Sequence, residues 1–239
     1  MGLVVNKFGK ISKQRKKITN PKPENAGRLL IFCEGATEFN YLSYFKAYLE
    51  HNLKVQYSNI VLEPINTTGN AMHVYNYAEE FLSQESNRRK YDLYEKHLVF
   101  DCDAPDNIEE VLSLMQSSQN EYIINYSYLL FETWLLMHFI ILEPPVRYSK
   151  RKVYETIREF LGVGRYGSSQ KADIATIKKL LSNDGNRKIR NAIENAKRLD
   201  EYWSAKGMLI PNNIKDMNPS VSIHILIERL LDEIEYSCK

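Results

Sequence analysis

Arg28-Leu29-Leu30-Ile31-Phe32-Cys33-Glu34-Gly35-Ala36-Thr37-Glu38 is the stretch on which the fold turns. Its apolar residues, Leu29 to Cys33, follow one another without alternation and stop at Glu-Gly. Such a run predicts a strand buried on both faces, as in a parallel sheet covered by helices above and below. Thr37 then starts a helix that carries Tyr41, Leu42, Phe45 and Leu49 on one face.

The same alternation continues downstream. A second strand is predicted over about Asn59 to Leu62, stopping at Pro64, and a turn over Asn66–Asn70 leads to a helix through Val74, Tyr77, Ala78, Phe81 and Leu82. Leu98-Val99-Phe100 reads as a third strand that runs into Asp101-Cys102-Asp103, and a helix follows from about Asn107 with Ile108, Val111, Leu112 and Met115 on one side. Tyr122-Ile123-Ile124 gives a fourth strand, succeeded by an apolar helix from about Phe131 to Ile140. Strand and helix taking turns in this way predict an α/β fold, a mostly parallel sheet flanked by helices. After Pro144-Pro145 only helical stripes remain, among them Val153, Ile157, Phe160 and Leu161, and Ile189, Ile193, Ala196, Leu199 and Trp203. Asn218-Pro219 is the expected N-cap and first residue of a last helix through Ile223, Ile227 and Leu230. The expected organisation is a basic arm (1–26), an α/β catalytic core (27–143) and a C-terminal helical extension (144–239) that packs on it.

The net charge of +2 conceals an uneven distribution. Residues 28–146 carry seven basic side chains against seventeen acidic ones, and residues 147–198 carry fourteen basic against five acidic. An acidic block beside a basic one suits a cation site next to a polyanion-binding surface, although ordinary solvated helices would give the same totals. No apolar run reaches the roughly 18–20 residues of a membrane span. The basic N-terminus has no apolar segment behind it, so it does not read as a secretory signal. Cys33, Cys102 and Cys238 have neither metal-ligand spacing nor an even count, which favours reduced thiols and a cytoplasmic location.

In open α/β sheets, sites form beyond the carboxyl ends of the strands. Glu34 stands at the end of the first strand with Glu38 one helical turn on, and Asp101 and Asp103 stand at the end of the third. Carboxylates gathered in one crevice repel each other unless they are protonated or share a cation, and an all-oxygen donor set suits Mg²⁺ or Mn²⁺. The plain alternative is that they are helix N-terminal acids favoured by the macrodipole. Glu132 lies in an otherwise apolar helix, where a carboxylate needs a partner or a metal. His138 on the same segment fits a hydrogen-bonded core histidine at least as well as a site residue. Lys150, Arg151 and Lys152, with Arg187, Lys188 and Arg190, are candidates for phosphate contacts.

The order of these motifs resembles the Toprim fold, which has Glu-Gly after its first strand and Asp-x-Asp after its third. The second Glu four residues after the first is similar to the OLD-type nuclease branch. More closely, the chain resembles the RloB family, small Toprim-like proteins linked to restriction and phage-defence loci. The resemblance rests on Cys33-Glu34-Gly35-x-Thr37-Glu38-x-Asn40-Tyr41 and Phe100-Asp101-x-Asp103. It continues in Phe131-Glu132-x-Trp134-Leu135-Leu136-x-His138-Phe139 and Asn218-Pro219-Ser220-Val221-Ser222. Where the family usually has Asn-Pro before Phe-Glu, this chain reads Ser127-Tyr128-Leu129-Leu130.

The resemblance implies a metal-dependent nuclease acting on DNA or RNA as an antiphage effector, with Asp101 and Asp103 holding metal and Glu34 as ligand or general base. Glu38 and Glu132 would complete a second metal position, Lys171 would stabilise the pentavalent phosphate, and an AAA- or ABC-type ATPase would be a partner. Two other readings stay open. One is a non-catalytic Toprim-like protein that binds nucleic acid or a partner. The other is a phosphatase of the haloacid dehalogenase type, which shares the apolar strand into Asp-x-Asp but wants Thr or Val two residues after the second Asp, where this chain has Pro105.

Overall fold

The computed structural model describes residues 28–52, 61–102, 105–144, 146–167, 173–181, 186–208 and 213–237. The basic arm, Asp103, Lys171 and Cys238 lie outside them. The elements run β1 (Arg28–Cys33), α1 (Ala36–Asn52), β2 (Val61–Asn66), α2 (Ala71–Ser83), α3 (Glu85–Tyr91), β3 (Glu95–Asp101), α4 (Pro105–Ser117), β4 (Tyr122–Tyr128) and α5 (Phe131–Met137). The C-terminal part is helical: α6 (Lys150–Leu161), α7 (Ile174–Leu181), α8 (Arg187–Ala205), a two-residue β5 (Ser220–Val221) and α9 (Ile223–Ser237).

The strands lie in the order β2-β1-β3-β4-β5, the first four parallel and β5 antiparallel to β4. The two faces divide as the period of a strand requires. Leu29, Ile31, Cys33 and Val99 join the core built with α1 and α5 to α9, while Leu30, Phe32, Leu98 and Phe100 join the core built with α2, α3 and α4. Every residue from Leu29 to Cys33 is fully buried, which is why β1 is written without a polar position. The α/β expectation is therefore met, and no helix among the described residues is long and apolar enough to cross a membrane.

Three boundaries differ from the expectation, each for a physical reason. β2 continues through Pro64, which pairs opposite Ile31, because β2 is an edge strand and a missing N–H is tolerated there. α5 ends at Met137 and not at Ile140. The N–H groups of His138 and Phe139 bond back to Leu135 and Leu136 in a tightened last turn, and the Asn195 side chain of α8 donates to the carbonyls of Met137 (2.8 Å) and Ile140 (3.1 Å). Asn218-Pro219 does not cap a helix. Asn218 exchanges two hydrogen bonds with the backbone of Tyr148, and β5 intervenes before α9 begins at Ile223.

At the amino-terminal edge of the sheet, α9 is tied down by a charged relay. Arg229 donates to Glu95 at 2.6 Å, Glu95 also meets His97 Nε2 at 2.6 Å, and the Asn125 amide donates to His97 Nδ1 at 3.0 Å. The His97 hydrogen bond, with help from Arg229, holds the Glu95 carboxyl at about 2, below its ordinary 4.5. A carboxylate depressed on folding stabilises the fold above its unfolded value and loses that contribution as pH falls through the folded one. Glu95→Gln is thus expected to lower the thermal midpoint at pH 7. Melts taken between pH 4.5 and 2 should show the gap to the parent protein closing. A gap that stays constant over that range would contradict the relay.

Candidate functional site

With strands in the order β2-β1-β3-β4, the chain leaves β1 towards one edge of the sheet and later returns past it to β3. The winding direction reverses between β1 and β3, and the loops that leave these two strands diverge into a crevice. Glu34 and Asp101 occupy the two strand ends at that point.

Their geometry is specific. Glu34 Oε2 accepts the backbone N–H of Asp101 at 2.8 Å, while the N–H of Glu34 donates to the Val99 carbonyl at 2.9 Å. The carboxylate therefore takes the place of the next carbonyl in the ladder and joins the two strand ends. Both residues are half-buried. The β2–α2 loop braces the same corner: the N–H and hydroxyl of Thr67 each donate to the Cys33 carbonyl at 2.9 Å, and the Gly69 N–H donates to the Glu34 carbonyl at 3.2 Å. Gly69 is required by close approach, since a Cβ there would lie 2.6 Å from His73 Cβ.

Glu38, in the first turn of α1, is only 5% exposed. Its carboxylate folds back over Gly35, where a Cβ would meet Oε2 at 2.9 Å. Burial pushes the Cys33 thiol up, and the charge of Glu38 adds to the effect. Glu132, 1% exposed at the start of α5, receives a long hydrogen bond of 3.4 Å from the Tyr166 hydroxyl. Burial first, then the charge of Glu132, pushes the Tyr166 phenol up, and the Glu38 carboxylate acts in the same direction. Glu38 and Glu132 are both buried carboxylates, and burial at that depth calls for compensation by protonation, hydrogen bonds or a cation.

The structure therefore places Glu34 against the Asp101 backbone, Glu132 against the Tyr166 hydroxyl, and Glu38 over Gly35. Asp103 and Lys171 fall outside the described residues. Among the described residues no three His, Cys, Asp or Glu side chains converge closely enough to hold a metal ion. His138 belongs to the core: Nδ1 lies 3.0 Å from the Trp134 carbonyl, and Nε2 lies 3.1 Å from the Tyr41 hydroxyl, so a neutral ring satisfies both contacts. Cys33 and Cys102 are buried free thiols.

The basic candidates divide. Lys150, Arg151 and Lys152 are exposed at the start of α6, with Arg151 3.8 Å from Glu155. Arg187 is exposed at the start of α8, Lys188 lies over the Phe139 ring, and Arg190 is engaged with Asp232 at 2.9 Å. Sequence reasoning did not anticipate Tyr166, Thr67 or Gly69. Tyr166 sat within the Gly162–Gly167 stretch, which draws attention through its glycines, and nothing local marks its hydroxyl as a partner of Glu132.

The model of the RloB-like protein family matches residues 29–230, and the chain belongs to that family. The match begins in β1 and ends in α9, so it takes in both strand ends of the crevice, the loop that carries Tyr166 and the helices that carry the basic residues. Neither the curated proteins nor the solved structures contain a significant match.

If Glu34 holds the Asp101 amide, that amide is protected from hydrogen exchange, and Glu34→Ala removes the protection. A hydrogen bond to a charged group predicts roughly a tenfold or greater acceleration. Amide exchange followed by NMR checks this, and an unchanged Asp101 rate would show that the carboxylate is not its partner.

Proposed function

We propose that this chain is a Mg²⁺- or Mn²⁺-dependent nuclease that cleaves phosphodiester bonds in DNA or RNA as an effector of antiphage defence. The observation that carries the reading is the 2.8 Å contact of Glu34 Oε2 with the Asp101 N–H at the switch point of the sheet. The carboxylate-bearing ends of β1 and β3 meet where open α/β folds place their ligands. Membership of the RloB-like family supports it, together with the resemblance of Glu34-Gly35 and Asp101-x-Asp103 to the Toprim motifs.

The donor set fits a hard cation, since every candidate is a carboxylate. Glu34, Asp101 and Asp103 would hold one ion, and Glu38 with Glu132 would form the second position. A divalent cation supplies Lewis-acid stabilisation of the charge that builds on a scissile phosphate. Glu34, fixed through one oxygen by a backbone N–H, would serve with its other oxygen either as ligand to that ion or as general base to an attacking water. Lys171 would meet the transition-state phosphate. The exposed Lys150, Arg151, Lys152 and Arg187 would hold the flanking backbone, while the ion pair with Asp232 makes Arg190 a weaker candidate. By family resemblance, an AAA- or ABC-type ATPase partner would control the activity.

A second reading, a non-catalytic Toprim-like protein that binds nucleic acid or a partner, is favoured by one observation. No three candidate ligands converge among the described residues. Plasmid, single-stranded DNA and total tRNA incubated with Mg²⁺, Mn²⁺ or EDTA separate the two. Cleavage should disappear with EDTA and fall by roughly a hundredfold or more in Asp101→Asn and Glu34→Gln, without loss of fold. Cleavage unchanged in both variants would contradict the site. Nucleic-acid binding that survives EDTA and Asp101→Asn, with no cleavage, would favour the second reading.

A further inference from the structure

Phe139 and Phe160 form a ring pair that the core uses only in part. Phe139 follows α5 and stacks on Phe160 of α6 with centroids 4.9 Å apart and planes 13° from parallel. Phe160 is 44% exposed. The Lys188 ammonium of α8 lies 5.6 Å from the Phe139 centroid. Here the outer ring opens to solvent and the inner one carries a cation.

The pair is joined to the candidate site along both of its chains. Phe139 lies seven residues beyond Glu132, just past the end of α5. Phe160 lies six residues before Tyr166, whose hydroxyl touches Glu132. Arg158 and Arg187 are exposed on the two helices that frame the pair, with Glu159 beside Phe160, in a segment holding fourteen basic and five acidic side chains.

A part-exposed aromatic ring on helices that also expose Arg158 and Arg187 is complementary to a nucleobase on a phosphate backbone. Bases inside a duplex have both faces covered by their neighbours, whereas an unpaired base has a face to offer. We infer that Phe160, backed by Phe139 and Lys188, is a stacking platform for an unpaired nucleobase, so that the substrate class is single-stranded nucleic acid or an unpaired loop. The inference rests on the nucleic-acid reading above and deepens it.

The test uses the full chain in EDTA, which suppresses cleavage, and fluorescence polarisation of a labelled oligonucleotide of about twelve pyrimidine nucleotides. Phe160→Ala should weaken binding roughly five- to 150-fold, the loss of one stacked base, while Phe160→Trp retains it. An abasic oligonucleotide of the same length should bind both forms within about twofold of each other, because it has no base to stack. Equal affinity of Phe160→Ala and the parent chain for the base-bearing strand would overturn the platform. So would an equal loss on the abasic strand, or no binding by the parent chain. Cleavage that depends on Glu34 while Phe160→Ala changes nothing would remove the platform and leave the nuclease. Base-dependent binding with no cleavage of any substrate would do the reverse.

Discussion

The bond from the Asp101 N–H to the Glu34 carboxylate ties the functional reading to the fold. It exists because β1 and β3 are neighbours, and they are neighbours because β1 is apolar on both faces and must lie inside the sheet. Two strands flank β1, so one connection crosses over it, and in the crevice that this reversal opens the Glu34 carboxylate meets the Asp101 backbone. The β2–α2 loop then closes on the carbonyls of Cys33 and Glu34 through Thr67 and Gly69, which fixes the backbone behind the carboxylate. Strand composition, sheet order and side-chain placement follow in sequence from burying five residues on both faces.

The remainder of the chain acts on this corner from one side of the sheet. Helices α5 to α9 share a core with α1 and with Leu29, Ile31 and Cys33 of β1, and Tyr166 reaches Glu132 from that side. Glu38 and Glu132 are thus enclosed by the same packing that holds the basic helices α6 and α8 against the sheet. Most of the acidic excess of residues 28–146 lies elsewhere, on exposed positions such as Glu80, Glu85, Asp92, Glu109, Glu110, Glu121 and Glu143, so the uneven charge belongs largely to solvated surface.

What was legible in the sequence was local and periodic. β1 and β3 could be read because double-sided burial leaves an apolar run that ends abruptly on an acid, and the alternation of strands and helices fixed the fold class. Signals that depend on distant partners were not legible. Pro64 looks like a stop until β2 is known to be an edge, and the apolar run after Phe131 looks helical to Ile140 until Asn195 is seen to take its carbonyls. Asn218-Pro219 carries the local signature of a helix start, yet its side chain is committed to Tyr148, seventy residues away. The helix α3 has Tyr91 as its one buried residue, too little for an apolar stripe. Glu34, Glu38, Asp101 and Glu132 were identified as candidates from sequence, but the pairing of Glu132 with Tyr166 spans 34 residues and is a product of tertiary packing.

The Glu34–Asp101 corner is proposed to hold a divalent cation. Titration of the protein with Mn²⁺, reading the loss of the free-ion signal by electron paramagnetic resonance, tests it without reference to any substrate. Saturable binding is expected, weakened by roughly tenfold or more in Asp101→Asn while the thermal midpoint is retained. Equal Mn²⁺ affinity in the parent protein and in a folded Asp101→Asn variant would contradict it.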